Sequence, residues 1–323
     1  MNTQATEFDL IARYFNRPVP KDMLGGGDDC ALFSVPAGKQ VATSTDLLLE
    51  GRHFFSDVDA RTLGHKALAV NLSDLAAMGA SPIGCLLGLG LPSMDPGWIE
   101  KFAEGFYALA AEHHCHLIGG DTTRSLNGIT LSVTVFGVVD PLHAMHRRAA
   151  QPGDEIWVSG YLGAADIACR MLAGEIPTQP ELLKKIRHAL ELPVPRVALG
   201  QALARHAHAA IDVSDGLLQD LGHILKASGC GAQILESTLP IHRDLLGLPA
   251  HLLRRAALAG GDLYELCFTA PVSAHAAIDE IGRELNIPLT CIGTATLLND
   301  LQVVDAAGCI VPDLPAGFDH FRM

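Results

Sequence analysis

The chain is poor in aromatic residues, which fill 5% of its 323 positions, and poor in charged ones, at 18%. Its core must therefore come from Ala, Leu, Val and Ile, because hydrophobic residues still reach 49%. Positive charge is in deficit: 23 Lys and Arg stand against 36 Asp and Glu, giving a formal net charge of −13. That balance argues against nucleic acid and anionic membranes as main partners, since both call for basic patches. No uninterrupted apolar stretch is long enough to span a bilayer, and no basic segment precedes a short apolar one near residue 1. A soluble, cytoplasmic protein is the expectation. The 8 cysteines form no C-x-x-C pair and sit mostly in apolar runs such as IGCLLGL and YELCFTA, which suits buried reduced thiols better than a disulfide framework. A lysine-bearing phosphate loop is missing too: the only Gly-Lys pair, Gly38-Lys39, is followed by Gln.

What is present is an irregular alternation of helical and strand-like runs. A short helix is expected near Phe8 to Tyr14, followed by strand-like CALFSV and QVATSTD. Arg61 to Ala80 reads as a long helix closed by Gly79 and Pro82, and Pro96 to His114 as a second. Between them PIGCLLGLGLP is a strand candidate with many glycines for a sheet interior; CHLIGGDTT and the β-rich ITLSVTVFGVV follow. The turn QPGD, at 151–154, precedes a fresh strand, EIWVSG, and a helix from Ala164, so a domain boundary is placed there. The expected fold class is α+β in layers, with two domains, 1–150 and 151–323, and a mixed rather than regularly parallel sheet in the first.

Aspartates recur at the ends of these elements. Asp28 and Asp29 follow three glycines in GGGDDC; Asp46 ends VATSTD beside Ser44 and Thr45; Asp121 follows LIGG; Asp212 and Asp215 flank Ser214 in AIDVSDGLL. Asp74 interrupts a nearly apolar helix, with Asn71 one turn earlier. Taken singly each has a plain reading, Asp215 as a helix N-cap and Asp121 as a Gly-Asp turn. A carboxylate inside an apolar helix, however, must be paired, capped or bound to metal. Seven acids in comparable settings point together to several Mg²⁺ ions, which prefer to complete their shells with water and substrate phosphates. Gly119 and Gly120 would let backbone approach a phosphate, and Arg147 with Arg148 offers local positive charge or simply a solvated pair. HHCH, at 113–116, is a weak zinc candidate, because consecutive residues point in different directions.

GDDCA, STDLLLEGRHF, KALAVNLSDLAAMGA, LIGGDTTR, AIDVSDGL, GGDLYELCFT and the final GFDHF resemble, in order and spacing, the thiamine-monophosphate kinases. The wider superfamily includes aminoimidazole-ribonucleotide synthetase, selenophosphate synthetase and a hydrogenase maturation factor. The resemblance implies a two-domain α+β enzyme. Its N-terminal domain would bind ATP and Mg²⁺ and dimerise, while the C-terminal domain completes the active site. It implies Mg²⁺ at Asp28, Asp29, Ser44, Thr45, Asp46, Asp74, Asp121, Asp212 and Asp215. The nucleotide would meet Gly120, Asp121, Arg147 and Ser214, and the thiamine monophosphate His53 and Asp262. No acid–base catalytic side chain is implied, the chemistry being metal-assisted transfer from ATP as co-substrate. The chain departs from the family where G-G-E-D-Y-E-L becomes GGDLYEL, with Asp262 for Glu and Leu263 for Asp. It also has Pro315 where many members carry Trp, and Leu47 where Thr often follows S-T-D. Two other readings stay open: a synthetase of the same superfamily with another acceptor, and a non-catalytic nucleotide- or metal-binding protein.

Overall fold

Strict alternation builds the first sheet. Along β4 (Thr130–Val139) every second residue is buried, so Leu131, Val133 and Val135 share one face while Ser132, Thr134 and Phe136 share the other. The structure, a computed structural model, describes residues 7–318. It divides into two compact units, residues 7–75 with 80–141, and residues 76–79 with 142–318.

In the first unit α1 (Glu7–Leu10) runs on as a wider turn through Phe15. There follow β1 (Gln40–Leu49), α2 (Ala60–Ala77), β2 (Ser81–Leu91), α3 (Pro96–Glu112), β3 (His116–Arg124) and β4. The strand order is β1-β4-β2-β3, antiparallel except for the parallel β2–β3 pair, so the sheet is mixed. Two expectations change. CALFSV forms no strand: a single bridge, Leu24 to Leu32, is its sheet-like pairing, and Phe33 turns onto Phe136 with ring centroids 5.4 Å apart. An apolar run without a partner strand packs by its side chains instead. Glycine-rich β2, conversely, lies inside the sheet, where Gly88 and Gly90 sit opposite Ser132 and Thr130 and keep the second face shallow.

The start of α3 is set by Asp95, whose carboxylate accepts the amides of Gly97 and Trp98, with Pro96 in the first turn. Helices α2 and α3 cross backbone on backbone. A Cβ on Gly105 would stand 1.8 Å from the Arg61 carbonyl oxygen, and one on Gly64 2.0 Å from that of Phe102. Gly105→Ala is therefore expected to destabilise the protein by about 1–3 kcal/mol in urea unfolding, reversing the usual gain from Gly to Ala in a helix. An unchanged midpoint would show that the crossing is looser than this.

The second unit comprises β5 (Glu155–Ser159), α4 (Ala164–Leu172), α5 (Pro180–Glu191), α6 (Val197–Leu203) and β6 (Ala209–Asp212). It continues with α7 (Leu217–Ser228), β7 (Gly231–Leu235), α8 (Ala250–Ala259), β8 (Leu266–Ala270), α9 (His275–Glu284), β9 (Leu289–Thr296) and β10 (Leu301–Val304). Its sheet runs β10-β7-β9-β5-β8-β6, and Ile156, Val158, Ile211, Leu221, Ile234 and Ile292 belong to its core. The core pins the end of β6, and with it Asp212, to the sheet.

Candidate functional site

Three groups of carboxylates emerge, two in the first unit and one in the second. The first forms where β1 meets α2. Alternation along β1 turns Ser44, Asp46 and Leu48 toward the helix-covered face, and Asn71 and Asp74, three apart on α2, share one helical side. The Ser44 hydroxyl donates to Asp74 Oδ2 at 2.6 Å, and Asn71 Oδ1 accepts the Asp46 amide at 3.1 Å. Burial pushes the Asp46 carboxyl up to about 6, and the negative charge of Asp74 adds to that rise. The arrangement is one that a hard cation would relieve, and its oxygen donors are of the type Mg²⁺ takes. Thr45 points the other way: its hydroxyl donates to the Val133 carbonyl at 3.1 Å and accepts from Thr134 at 2.9 Å. By its side chain Thr45 does not join Ser44 and Asp46.

The second group lies over the opposite face of the same sheet. A cavity of about 900 Å³ is floored by Leu86, Gly88, Ser132, Thr134 and Phe136 and edged by Asp28, Asp29, Gly120, Asp121 and Thr122. The Asp29 amide donates to Asp28 Oδ1 at 2.9 Å, which holds the Asp28 carboxylate against its own turn. Gly120 is required by close strand contact, since a Cβ there would meet the Leu87 carbonyl oxygen at 2.0 Å. Phe15 and Phe33 give the cavity apolar wall. His53 stands in the turn after β1, where its Nδ1 accepts the Leu49 amide at 3.0 Å and its carbonyl accepts the Lys66 ammonium at 3.1 Å. Lys66 is 2% exposed. The sequence motifs did not single it out, although a lysine within an apolar run is a signal of burial with a partner.

In the second unit Asp212 is buried at the end of β6, and Ser214 and Asp215 follow, half-buried. Asp215 does not cap α7; the cap position is Gly216, and the acid that satisfies the helix start is Asp220. A second loop is laced to the first. The Asp262 amide donates to the Ser214 carbonyl and the Tyr264 amide to the Val213 carbonyl, each at 2.8 Å, with Tyr264 Oη donating to Asp262 Oδ1 at 3.1 Å. Asp262 and Tyr264 both take positive φ, 57° and 55°, which marks a constrained loop. Leu263 packs against the core instead, so the acid lost at this position has become a partly buried apolar contact. Near the C-terminus the Phe318 amide donates to the Asp215 carbonyl at 2.9 Å, while Asp319, His320 and Phe321 of GFDHF lie outside the described residues. Arg147 is exposed, and its carbonyl accepts the Ser228 hydroxyl at 2.9 Å.

Among the described residues no three His, Cys, Asp or Glu side chains are gathered tightly enough to hold a metal ion by themselves. In HHCH, burial lowers the His113 pKa, and Cys115 is buried against Cys85. All the cysteines are free thiols.

Known proteins match along nearly the whole chain. The family described as AIR synthase related protein matches with its N-terminal domain at residues 27–139 and its C-terminal domain at 151–303. The chain is 44% identical to the thiamine-monophosphate kinase of Escherichia coli strain K12 over 327 residues, covering 98% of both proteins. It is 33% identical to that of Bacillus subtilis, covering 98% of this chain and 99% of the relative. Among solved structures, the thiamine-monophosphate kinase of Stenotrophomonas maltophilia superposes with a TM-score of 0.83 at 44% identity, covering 91% of this chain and 94% of that one. AaThiL complexed with AMPPCP and TMP superposes with a TM-score of 0.76 at 28% identity, covering 89% of each. The chain belongs to the thiamine-monophosphate kinases, within the AIR synthase related proteins.

Proposed function

We propose that this protein transfers the γ-phosphoryl group of ATP to the phosphate of thiamine monophosphate, giving thiamine diphosphate and ADP. An acceptor phosphate oxygen bonds to the γ-phosphorus as the bond to the β–γ bridging oxygen breaks, and ADP leaves with that electron pair. The acceptor oxygen is already anionic at neutral pH, so no general base is required. The obstacle is repulsion among phosphates, and several bound Mg²⁺ ions would supply the neutralising charge.

The observation that carries this reading is the Ser44–Asp46–Asn71–Asp74 group, where the Ser44 hydroxyl donates to Asp74, Asn71 Oδ1 holds the Asp46 backbone amide, and burial with the Asp74 charge raises the Asp46 carboxyl. In the reading, Asp46 and Asp74 hold Mg²⁺ with Ser44, and Thr45 contributes backbone rather than hydroxyl. Asp28, Asp29 and Asp121 line the cavity for metal-bound phosphate, with Gly120 beside it. Asp212 and Asp215 take further metal, Ser214 and Arg147 meet the nucleotide, and His53 and Asp262 meet thiamine monophosphate. The His53 imidazole is oriented by the Leu49 amide on its Nδ1. Residues 1–150 form the ATP, Mg²⁺ and dimerisation domain of this reading, and 151–323 the domain that completes the chemistry. A homodimer through the first unit is supported by exposed Val41, Leu47 and Leu49 on edge strand β1. No described helix is long and apolar enough to cross a membrane, which is compatible with the cytoplasmic location the reading assumes.

Phosphorus NMR of the protein with ATP, Mg²⁺ and thiamine monophosphate, against a control lacking the acceptor, tests the reaction. Thiamine diphosphate and ADP are expected only with the acceptor present. ADP without thiamine diphosphate would move the protein to another acceptor, as in a related synthetase, and intact ATP throughout would favour a non-catalytic binding protein.

A further inference from the structure

A turn leading into a helix ordinarily offers its free amides to an anion, and phosphate sites are often built that way. In the turn just ahead of α7 three such amides are already taken. Asp220 Oδ2 accepts the N–H groups of Ser214 at 3.0 Å, Asp215 at 3.0 Å and Gly216 at 3.1 Å. The carboxylate is only 3% exposed, so it reaches backward from the first turn of its own helix into the place an anion would take. Gly216 permits the tight path, with φ of 126° and a backbone too close to Ala259 to admit a Cβ.

We propose that Asp220 is a positioning residue which closes this turn to phosphate and fixes it as a platform presenting the Ser214 and Asp215 side chains to cation-bound nucleotide. The chemistry follows from what the clamp consumes. With the amides of 214–216 held by an internal carboxylate, none of the three is open to an oxyanion, and the side chains the turn carries are a hydroxyl and an acid. Such a surface takes a nucleoside triphosphate through Mg²⁺ rather than through bare phosphate oxygens. The inference rests on the phosphoryl-transfer reading for the identity of the nucleotide, but its test needs no acceptor.

Two measurements together decide it: amide hydrogen exchange across residues 213–217, and calorimetric binding of AMPPCP with Mg²⁺ to the full chain. The wild type is expected to protect the 214–216 amides. Asp220→Ala is expected to lose that protection and to bind Mg²⁺–AMPPCP about 10–100-fold more weakly, the cost usual for losing a group that orients a ligating residue. Asp220→Asn keeps an oxygen that can accept the same amides more weakly, so a loss of about threefold is expected. A purely structural role would lower the melting temperature of both variants and leave nucleotide affinity alone. Fast exchange of these amides in the wild type, or wild-type affinity in Asp220→Ala, would overturn the proposal. Should Asp220→Ala fail to fold, faster exchange with unchanged affinity in Asp220→Asn overturns it equally. If Mg²⁺–AMPPCP binds but no thiamine diphosphate forms, the acceptor reading fails and this one stands.

Discussion

Asp74→Asn is expected to lower turnover by about 10²-fold or more at saturating Mg²⁺ while leaving the metal-free protein at least as stable as the wild type. The two effects have one cause. Asp74 shares the β1–α2 junction with Asp46, whose carboxyl burial and the Asp74 charge push up to about 6. Asn at 74 can still accept the Ser44 hydroxyl through its amide oxygen, so the 2.6 Å contact survives. What it loses is charge, which the proposed metal needs and the metal-free fold does not. A carboxyl raised in the folded state contributes stability that is fully present below its unfolded value near 3.8 and is lost as pH rises through about 6. Metal-free wild type therefore gives up this contribution between about pH 4 and 6, and Asp74→Asn, with the neighbouring charge gone, gives up less. Thermal melts in chelator from pH 4.5 to 7.5 should show the variant gaining on the wild type as pH rises. Near-normal turnover, or a melting temperature several degrees below wild type at pH 7, would remove Asp74 from the metal-binding role.

The Asp46–Asp74 relation was legible in the sequence because helical and strand periodicities are local. A polar pair three apart in an apolar helix and an acid at the end of a strand-like run both announce buried polar contact. The same reasoning placed α2, α3, β5 and the start of α4 to within a few residues, and the mixed sheet followed from irregular alternation. Strand facing was less legible. Ser44, Thr45 and Asp46 look alike as a motif, yet a period of two sends Thr45 to the opposite face, where Val133 and Thr134 engage it. CALFSV carries strand composition, but strands exist by pairing, and which segments pair is decided at long range. Asp220 escaped notice for the opposite reason. Its residue type on an amphipathic helix suggests a solvated position, and only the backward turn of residues 214–216 reveals three amides needing an acceptor. Leu263 is similar: as a motif residue it is a lost acid, and in the fold it is partly buried and packed against the core.

The largest stability effect should come from a pair that no motif announced. Arg196 donates to both oxygens of Glu265, Nε to Oε2 at 2.7 Å and Nη2 to Oε1 at 2.5 Å, with side-chain exposures of 18% and 10%. The Ser159 hydroxyl also donates to Glu265 Oε2, and it accepts the Leu266 amide at 2.9 Å. A Cβ on Gly160 would overlap the same carboxylate, so the glycine is what lets it in. The Glu265 carbonyl in turn accepts the Val213 amide at 2.8 Å, which ties the pair to the turn carrying Ser214 and Asp215. Arg196→Met would leave Glu265 ionised and little hydrated, and such an orphaned charge costs about 3–5 kcal/mol. For a unit of this size the melting transition should fall by on the order of 10 °C. Glu265→Gln keeps the shape and the serine contact but strands the guanidinium, so it should be destabilised by a comparable amount. The double variant Arg196→Met/Glu265→Leu removes both charges and should recover part of the loss, because no buried charge is orphaned and the remaining cost is the Ser159 hydroxyl that loses its acceptor. Losses that simply add in the double variant would mean the two side chains act independently. Recovery of the melting temperature without recovery of nucleotide binding would separate the roles: the charges stabilise the unit, and their geometry holds the turn at 213–216 in register with β8.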